Sequence, residues 1–315
     1  MLMKTAESPS GSLGRILDAE AIMQETDRAR IDMSSFRGAK FYDTDEIDAD
    51  LHQCQELHQR FEDEREHYTP EKRAQFERGL AAEYTFRHAI EEYGWLADDV
   101  NVIVTSEYDD YVGGIDTIAQ IIMGAERFEH LGFAIDFATG TDDVGKKIRR
   151  TFDSLDQGFT PRVKYFDSEK TGKLKNFKVP RIVIGASPET LERLATYSSE
   201  IMSGSGIAEA SREEIRRDSF RAVLFGEIQA QLSVFIHRIE KVITQARTEK
   251  RADILERATS SLVTHRKALA VIQELAADAG IDLGAIQKHI RGDVFAVSMA
   301  QALSLLSQTP ITFRK

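Results

Sequence analysis

Residues 107–147 read EYDDYVGGIDTIAQIIMGAERFEHLGFAIDFATGTDDVGKK. Two carboxylates stand inside apolar runs in this stretch. Ile115, Ile118, Ile121 and Ile122 surround Asp116, and Phe133, Ala134, Ile135 and Phe137 surround Asp136. The runs are too short for separate globular helices and are bounded by Gly and polar residues, so both read as buried strands. A carboxylate in a buried strand costs free energy unless it is paired or holds a metal. Two of them, about twenty residues apart, mark a site. Gly113-Gly114 ahead of the first strand signals a bulge or a close backbone approach. Alternation puts Asp116 on a face with Ile118 and Ile122. It puts Asp136 with Ala134 and Ala138, whose small side chains leave space around the carboxylate.

Downstream, Thr139-Gly140-Thr141-Asp142 breaks the second strand and caps a helix with a buried stripe of Val144, Ile148, Phe152 and Leu155. Lys147 flanks that stripe and points inward, whereas Lys146 points nearly opposite. Upstream, Thr69-Pro70-Glu71 starts a helix that runs to about Tyr93 and stops at Gly94. Phe76, Leu80, Tyr84 and Ile90 form its face, with Glu83 in the middle. Glu83 then either pairs with Arg87 at i,i+4 or is aimed at the two strand aspartates. Residues 100–105 read as a strand by their β-branched content, and 107–111 as an acidic turn. Two further strands are expected at 162–166 and 181–185, joined by a basic link, KTGKLKNFK.

The chain has 315 residues and a formal net charge of −11, which argues against a protein that coats nucleic acid over its whole surface. The charge is unevenly placed. Between 43 and 66 ten acids face Arg60 and Arg65, and this segment reads as a solvated helix or as a shield for a basic surface elsewhere. Between 146 and 181 eleven Lys or Arg face four acids, beside the proposed site, where a polynucleotide backbone would lie. Tyr165, Phe166 and Phe177 are interleaved there, as core or as stacking platforms for bases.

Cys54 is the one cysteine, so no internal disulfide is available and a cytoplasmic setting is expected. No membrane association is expected: no run approaches the ~20 apolar residues of a span, and residues 1–12 read as a frayed start without a secretory leader. A helix is expected over 13–30 and a loop over 34–38. Cys54 with His52 and His58 lacks a fourth zinc ligand at suitable spacing, and His237, His265 and His289 are dispersed. The chain carries no GxxxxGK[ST], GxGxxG or GxSxG pattern.

After Ser187-Pro188-Glu189 another helix is expected, ending near 204–206. Ser211-x-x-Glu214 reads as a capping box that opens one long helix to about Arg247, followed by a second to Ala279, closed by Gly280. Leu224, Ile228, Leu232, Phe235, Ile239 and Ile243 form the stripe of this antiparallel hairpin. The tail is helical by pattern at 286–290 and 294–306. The hairpin suits a protein partner, self-association or packing on the sheet.

The element order helix–strand–strand–strand–helix–strand, with Glu83 on the helix, Asp116 on the second strand and Asp136 on the third, resembles the PD-(D/E)XK nuclease-like superfamily over about residues 70–186. The resemblance implies an α/β fold: a restriction-endonuclease-like αβββαβ core with a mixed sheet at 69–207. An N-terminal helical and acidic segment (1–68) and a C-terminal helical domain (208–315) flank it. It implies Mg²⁺ or Mn²⁺ held by Asp116, Asp136 and Glu83, with DNA as substrate and the 146–181 segment against its backbone. The family's lysine, two residues after the second acid, is Ala138 in this chain. Some members supply that lysine from the following helix, which points to Lys147, or else to Lys146; Lys164 on the next strand is a further choice. If no lysine reaches the site, the fold serves as a catalytically inactive scaffold acting through its C-terminal helices.

Overall fold

The first helix with an expected start begins where its caps require. Thr69 Oγ1 accepts from the Lys72 N–H at 3.3 Å and Pro70 opens the helix, which spans Pro70–Glu91. The computed structural model describes residues 18–122, 130–138, 141–203, 207–284 and 294–313. In chain order these form α1 (Ala19–Ala29), a 3-10 turn (Met33–Phe36), α2 (Thr44–Glu66), α3 (Pro70–Glu91), β1 (Val100–Val104), a one-turn α4 (Glu107–Tyr111), β2 (Thr117–Ile122) and β3 (His130–Ala138). Then follow α5 (Thr141–Asp156), β4 (Arg162–Phe166), β5 (Leu174–Lys178), β6 (Arg181–Gly185), α6 (Pro188–Met202), α7 (Ala208–Arg217), α8 (Phe220–Thr248), α9 (Ala252–Asp278) and α10 (Val294–Ser307). The expected helical residues 13–17 and 286–290, and the break at 139–140, lie outside the described residues.

The fold is mixed α/β. The main sheet has the order β1-β2-β3-β6: β1, β2 and β3 form an antiparallel meander, and β6 returns parallel to β3 after α5. Val144, Ile148, Phe152 and Leu155 of α5 are all buried, as the stripe predicts. β4 and β5 form a separate antiparallel ribbon. The stretch expected to be a basic link therefore contains a strand. Its half-exposed residues carry no buried alternation, and Asn176 at φ 56 interrupts it, so period-2 reasoning had nothing to read.

One apolar cluster covers the helical side of the sheet and runs from Ile22 through Phe133, Ile135 and Leu232 to Leu306, across the expected boundaries at 68 and 207. A second cluster, with Ile115, Ile118, Ala134, Val163 and Phe166, lies between the sheet and the β4–β5 ribbon. A third seats α2 on the ribbon through Ile47, Cys54 and Tyr165. Fully burying each such large side chain contributes about 1.5–3 kcal/mol, enough to fix the ribbon and α2 against the sheet.

The expected long helix from Ser211 is two helices. Ser211 sits inside α7 and donates to Glu200 and to the Ile207 carbonyl, so its hydroxyl caps nothing. The chain breaks at Asp218, which accepts the Phe220 N–H at 2.8 Å and takes the Arg193 guanidinium in two bonds of 2.8 and 3.0 Å. α8 and α9 form the expected hairpin, with Leu224, Ile228, Leu232, Phe235, Ile239 and Ile243 buried. Among the described residues no helix is long and apolar enough to cross a membrane.

Candidate active site

Lys72, Phe76, Gly79 and Glu83 follow one another along α3 at i, i+4, i+7 and i+11, a single stripe. The stripe forms one side of a cavity of about 410 Å³. Asp116 enters from the residue just before β2, and Asp143 and Lys147 from the first turns of α5. Glu83, Asp116 and Lys147, three of the four residues expected from sequence, therefore share one cavity. Lys147 is half-buried beside the stripe, whereas Lys146 is exposed and lies 3.7 Å from Asp143. Phe76 was placed on the Glu83 face from sequence, whereas the rim residues Tyr68, Lys72 and Asp143 were missed; the stripe spacing on α3 was the signal for Lys72.

Asp116 corrects one expectation. It lies just before β2 rather than within it, and the alternation slips at this point. Ile115 and Ile118 both join the ribbon-side cluster, whereas Ala119 and Ile121 join the helical one. Strict alternation would put Ile115 with Ala119. The slip takes Asp116 away from the face it was expected to share with Ile118 and into the cavity beneath α3. Gly113 and Gly114 make it possible. A Cβ on Gly113 would come within 2.4 Å of the Asp109 carbonyl, and Gly114 has φ +61 with the Arg181 guanidinium against it.

Burial pushes the Glu83 carboxyl up to about 7, and nearby Asp110 pushes it in the same direction. Arg30, Arg87 and Lys147 oppose the shift. Glu83 lines an open cavity and is only half-buried, so solvent moderates the effect. The expected i,i+4 partner Arg87 is directed to α1, where it meets Glu25 at 2.9 Å and Thr26 at 3.4 Å. Arg30 donates to Asp110 at 2.8 Å.

Thr117 and Ile135 are the last pair of the β2–β3 ladder, so Asp116 and Asp136 stand one step beyond it on the two strands. Asp136 pairs through its backbone with Val183 of β6, and β3 ends at Ala138 opposite Gly185. The Asp136 side chain lies outside the described structure. Among the described residues no three His, Cys, Asp or Glu side chains converge as a metal group. Glu83, Asp116 and Asp143 nevertheless line one cavity together with Lys72 and Lys147, and the Glu83 carboxyl is charged there at a cost that a cation would offset. That donor chemistry fits a hard divalent ion.

The basic segment is partly spent inside the protein. Lys164 is bound by Glu46 at 2.8 Å and by Asp50, and Lys175 by Glu46 at 2.7 Å. Lys173 donates to the Ser35 carbonyl and Arg181 to the carbonyls of Gly113 and Gly114. The acidic helix α2 thus covers the ribbon, and Lys164 is removed as a candidate for the site. Arg149 and Arg150 on α5, and Lys178, are exposed. Tyr165 and Phe166 are fully buried and serve as core rather than as stacking platforms.

The acidic turn at 107–111 also holds a residue that sequence reasoning missed. Asp109 is buried and accepts from the backbone N–H groups of Lys164 at 2.6 Å and Tyr165 at 3.0 Å, and from the Ser106 hydroxyl at 2.7 Å. Burial raises its carboxyl to about 6, against these hydrogen bonds. It anchors the ribbon to the segment that carries Asp116. Cys54 is buried, while His52 and His58 are exposed and contact Glu56 and Glu62 on their own helix. Comparison with known protein families, with characterised proteins and with solved structures finds no match to this chain.

Proposed function

We propose that this chain hydrolyses phosphodiester bonds of DNA with Mg²⁺ or Mn²⁺, as a PD-(D/E)XK-like nuclease whose lysine is supplied by α5. The observation that carries this reading is the meeting of Glu83, Asp116 and Lys147 in one cavity, although they come from three separate elements. The helix, three strands and helix in the expected order support it, although the strand expected next, at 162–166, pairs in the separate ribbon and the strand parallel to β3 is β6. The ladder register sets the backbones of Asp136 and Asp116 at the same level on the two strands.

Glu83, Asp116 and Asp136 would hold the metal, which when bound neutralises charge at the phosphate and makes a bound water acidic. Burial raises the Glu83 carboxyl toward neutral pH, and the same electrostatics favour a cation beside its charged form. The Lys147 ammonium, half-buried beside Glu83, donates to a phosphate oxygen and orients the attacking water. Arg149 and Arg150, exposed on the same helix, meet the flanking backbone. The cytoplasm is the proposed setting.

The test is cleavage of linear, nicked, circular and single-stranded DNA with Mg²⁺ or Mn²⁺, comparing wild type with Asp136→Ala and Lys147→Ala. Activity that both substitutions abolish is expected. Activity lost only in Asp136→Ala would keep the metal site and transfer the lysine role to Lys146. Ala138, at the family's lysine position, favours a second reading, an inactive scaffold working through α8 and α9. A folded protein that cleaves none of these substrates would overturn the first reading in favour of the second.

A further inference from the structure

A cavity of about 660 Å³, larger than the candidate active site, lies along the outer edge of the main sheet. β1 is the edge strand, and residues 101–104 form the floor. One wall is helical, with Glu25 of α1 and Arg87 and Glu91 of α3; the other carries Asp32, Asp167 and Glu169.

Two backbone groups of β1 point out of the ladder into this cleft. The Val104 carbonyl accepts from the Ile31 N–H at 3.3 Å, and the Val102 backbone faces the Glu91 carboxylate, whose charged form it favours. Both partners stand in for a neighbouring strand. One is a lone amide from an irregular segment and the other an exposed side chain, each in a place that a ladder partner would fill. The cleft is also charged. Five carboxylates (Glu25, Asp32, Glu91, Asp167 and Glu169) face Arg87 and Lys170, and Arg87 is already paired with Glu25 at 2.9 Å.

We propose that this edge docks an extended, lysine- or arginine-bearing peptide segment of a partner protein, which adds to the sheet as an outer strand beside β1. At about 3.4 Å per residue the five residues of β1 span about 17 Å, with the Ile31 amide holding the Val104 end, so an incoming strand must displace Ile31 there. Backbone bonds to Val102 and Val104 supply affinity, and the acidic rim selects cationic side chains. The incoming carbonyl displaces the Glu91 carboxylate, which is then available to a peptide cation. The proposal is independent of the nuclease reading, since no residue of the cavity between α3 and α5 takes part.

The test titrates the full chain with fluorescein-labelled nine-residue peptides at physiological salt. One alternates lysine with valine, one alternates glutamate with valine, and the third is the lysine peptide N-methylated at alternate residues. The lysine peptide is expected to bind and to shift the amide resonances of Val102 and Val104. Its Kd should rise by about tenfold or more in Glu91→Lys/Glu169→Lys, and N-methylation should abolish binding. Asp32→Lys/Glu169→Lys is a second reversal that leaves the contact between Glu91 and Val102 in place. Equal binding of the N-methylated or glutamate peptide, an unchanged Kd in both reversal variants, or no binding would overturn the proposal. So would self-association of the full chain that either reversal abolishes, because the occupant would then be a second copy.

Discussion

The side-chain amide of Gln231 clamps both backbone polar groups of Val183. Its Oε1 accepts the Val183 N–H at 2.9 Å and its Nε2 donates to the Val183 carbonyl at 2.8 Å. Val183 is the register partner of Asp136, so the helical hairpin closes the outer edge of the strand that pairs with the candidate site. Gln231 is fully buried, and truncating it strands two backbone groups away from water.

Gln231→Leu is therefore expected to lower stability by about 2–4 kcal/mol. Urea denaturation, with the slope held constant, measures it. A loss below about 0.5 kcal/mol would mean that the edge is closed by something other than this clamp.

The Glu83 carboxyl gives stability a specific pH dependence. Its folded-state value, about 7, is raised above the ordinary 4.5. The contribution of this group is fully present below 4.5 and is lost as pH rises through about 7. Glu83→Gln stays neutral throughout. It should exceed wild type in stability above pH 7 by about 1–2 kcal/mol after allowance for solvent, with the gap closing toward pH 4.5. Denaturation midpoints across that range decide the matter, and a variant weaker than wild type at pH 8 would refute it.

His265 has the opposite sign. Burial lowers it from 6.5 to about 4, while its ring is hydrogen-bonded to the Ser261 carbonyl at 2.8 Å. Its contribution is present above pH 6.5 and is lost as pH falls toward 4. Relative to His265→Gln, wild type should lose about 2 kcal/mol across that window. Parallel stability profiles for the two proteins would show that His265 charges without cost.

DNA binding should distinguish exposed cations from those already engaged. Replacing Arg149 and Arg150 with Ala should each reduce the slope of log affinity against log salt by about 1. Lys164→Ala should leave the slope unchanged, because Glu46 and Asp50 already neutralise that cation. Fluorescence anisotropy with a short duplex between 50 and 200 mM salt would show it. Equal effects at the three positions would indicate that α2 moves off the ribbon when DNA binds.

Much of this protein was legible residue by residue. Thr69-Pro70 and Ser187-Pro188 set helix starts because a capping hydroxyl and a ring-fixed φ act within one turn. The stripe of α5 correctly separated Lys147 from Lys146, because 100° per residue is a local rule. Glu83 was visible as an acid in an apolar face for the same reason.

Other features were settled only by contacts distant in sequence. The half-exposed β5 is a strand because β4 pairs with it. The helix expected from Ser211 breaks at Asp218, whose carboxylate takes Arg193 from another helix as well as the local Phe220 N–H. The basic segment loses part of its charge to α2, more than a hundred residues earlier in the chain. The phase slip that carries Asp116 into the cavity depends on two glycines fitting against Asp109 and Arg181. The sequence alone determined local periodicity and capping, since these are short-range. The tertiary structure decided which charges are spent on one another and which acids share a cavity, because ion pairing and burial depend on distance in space.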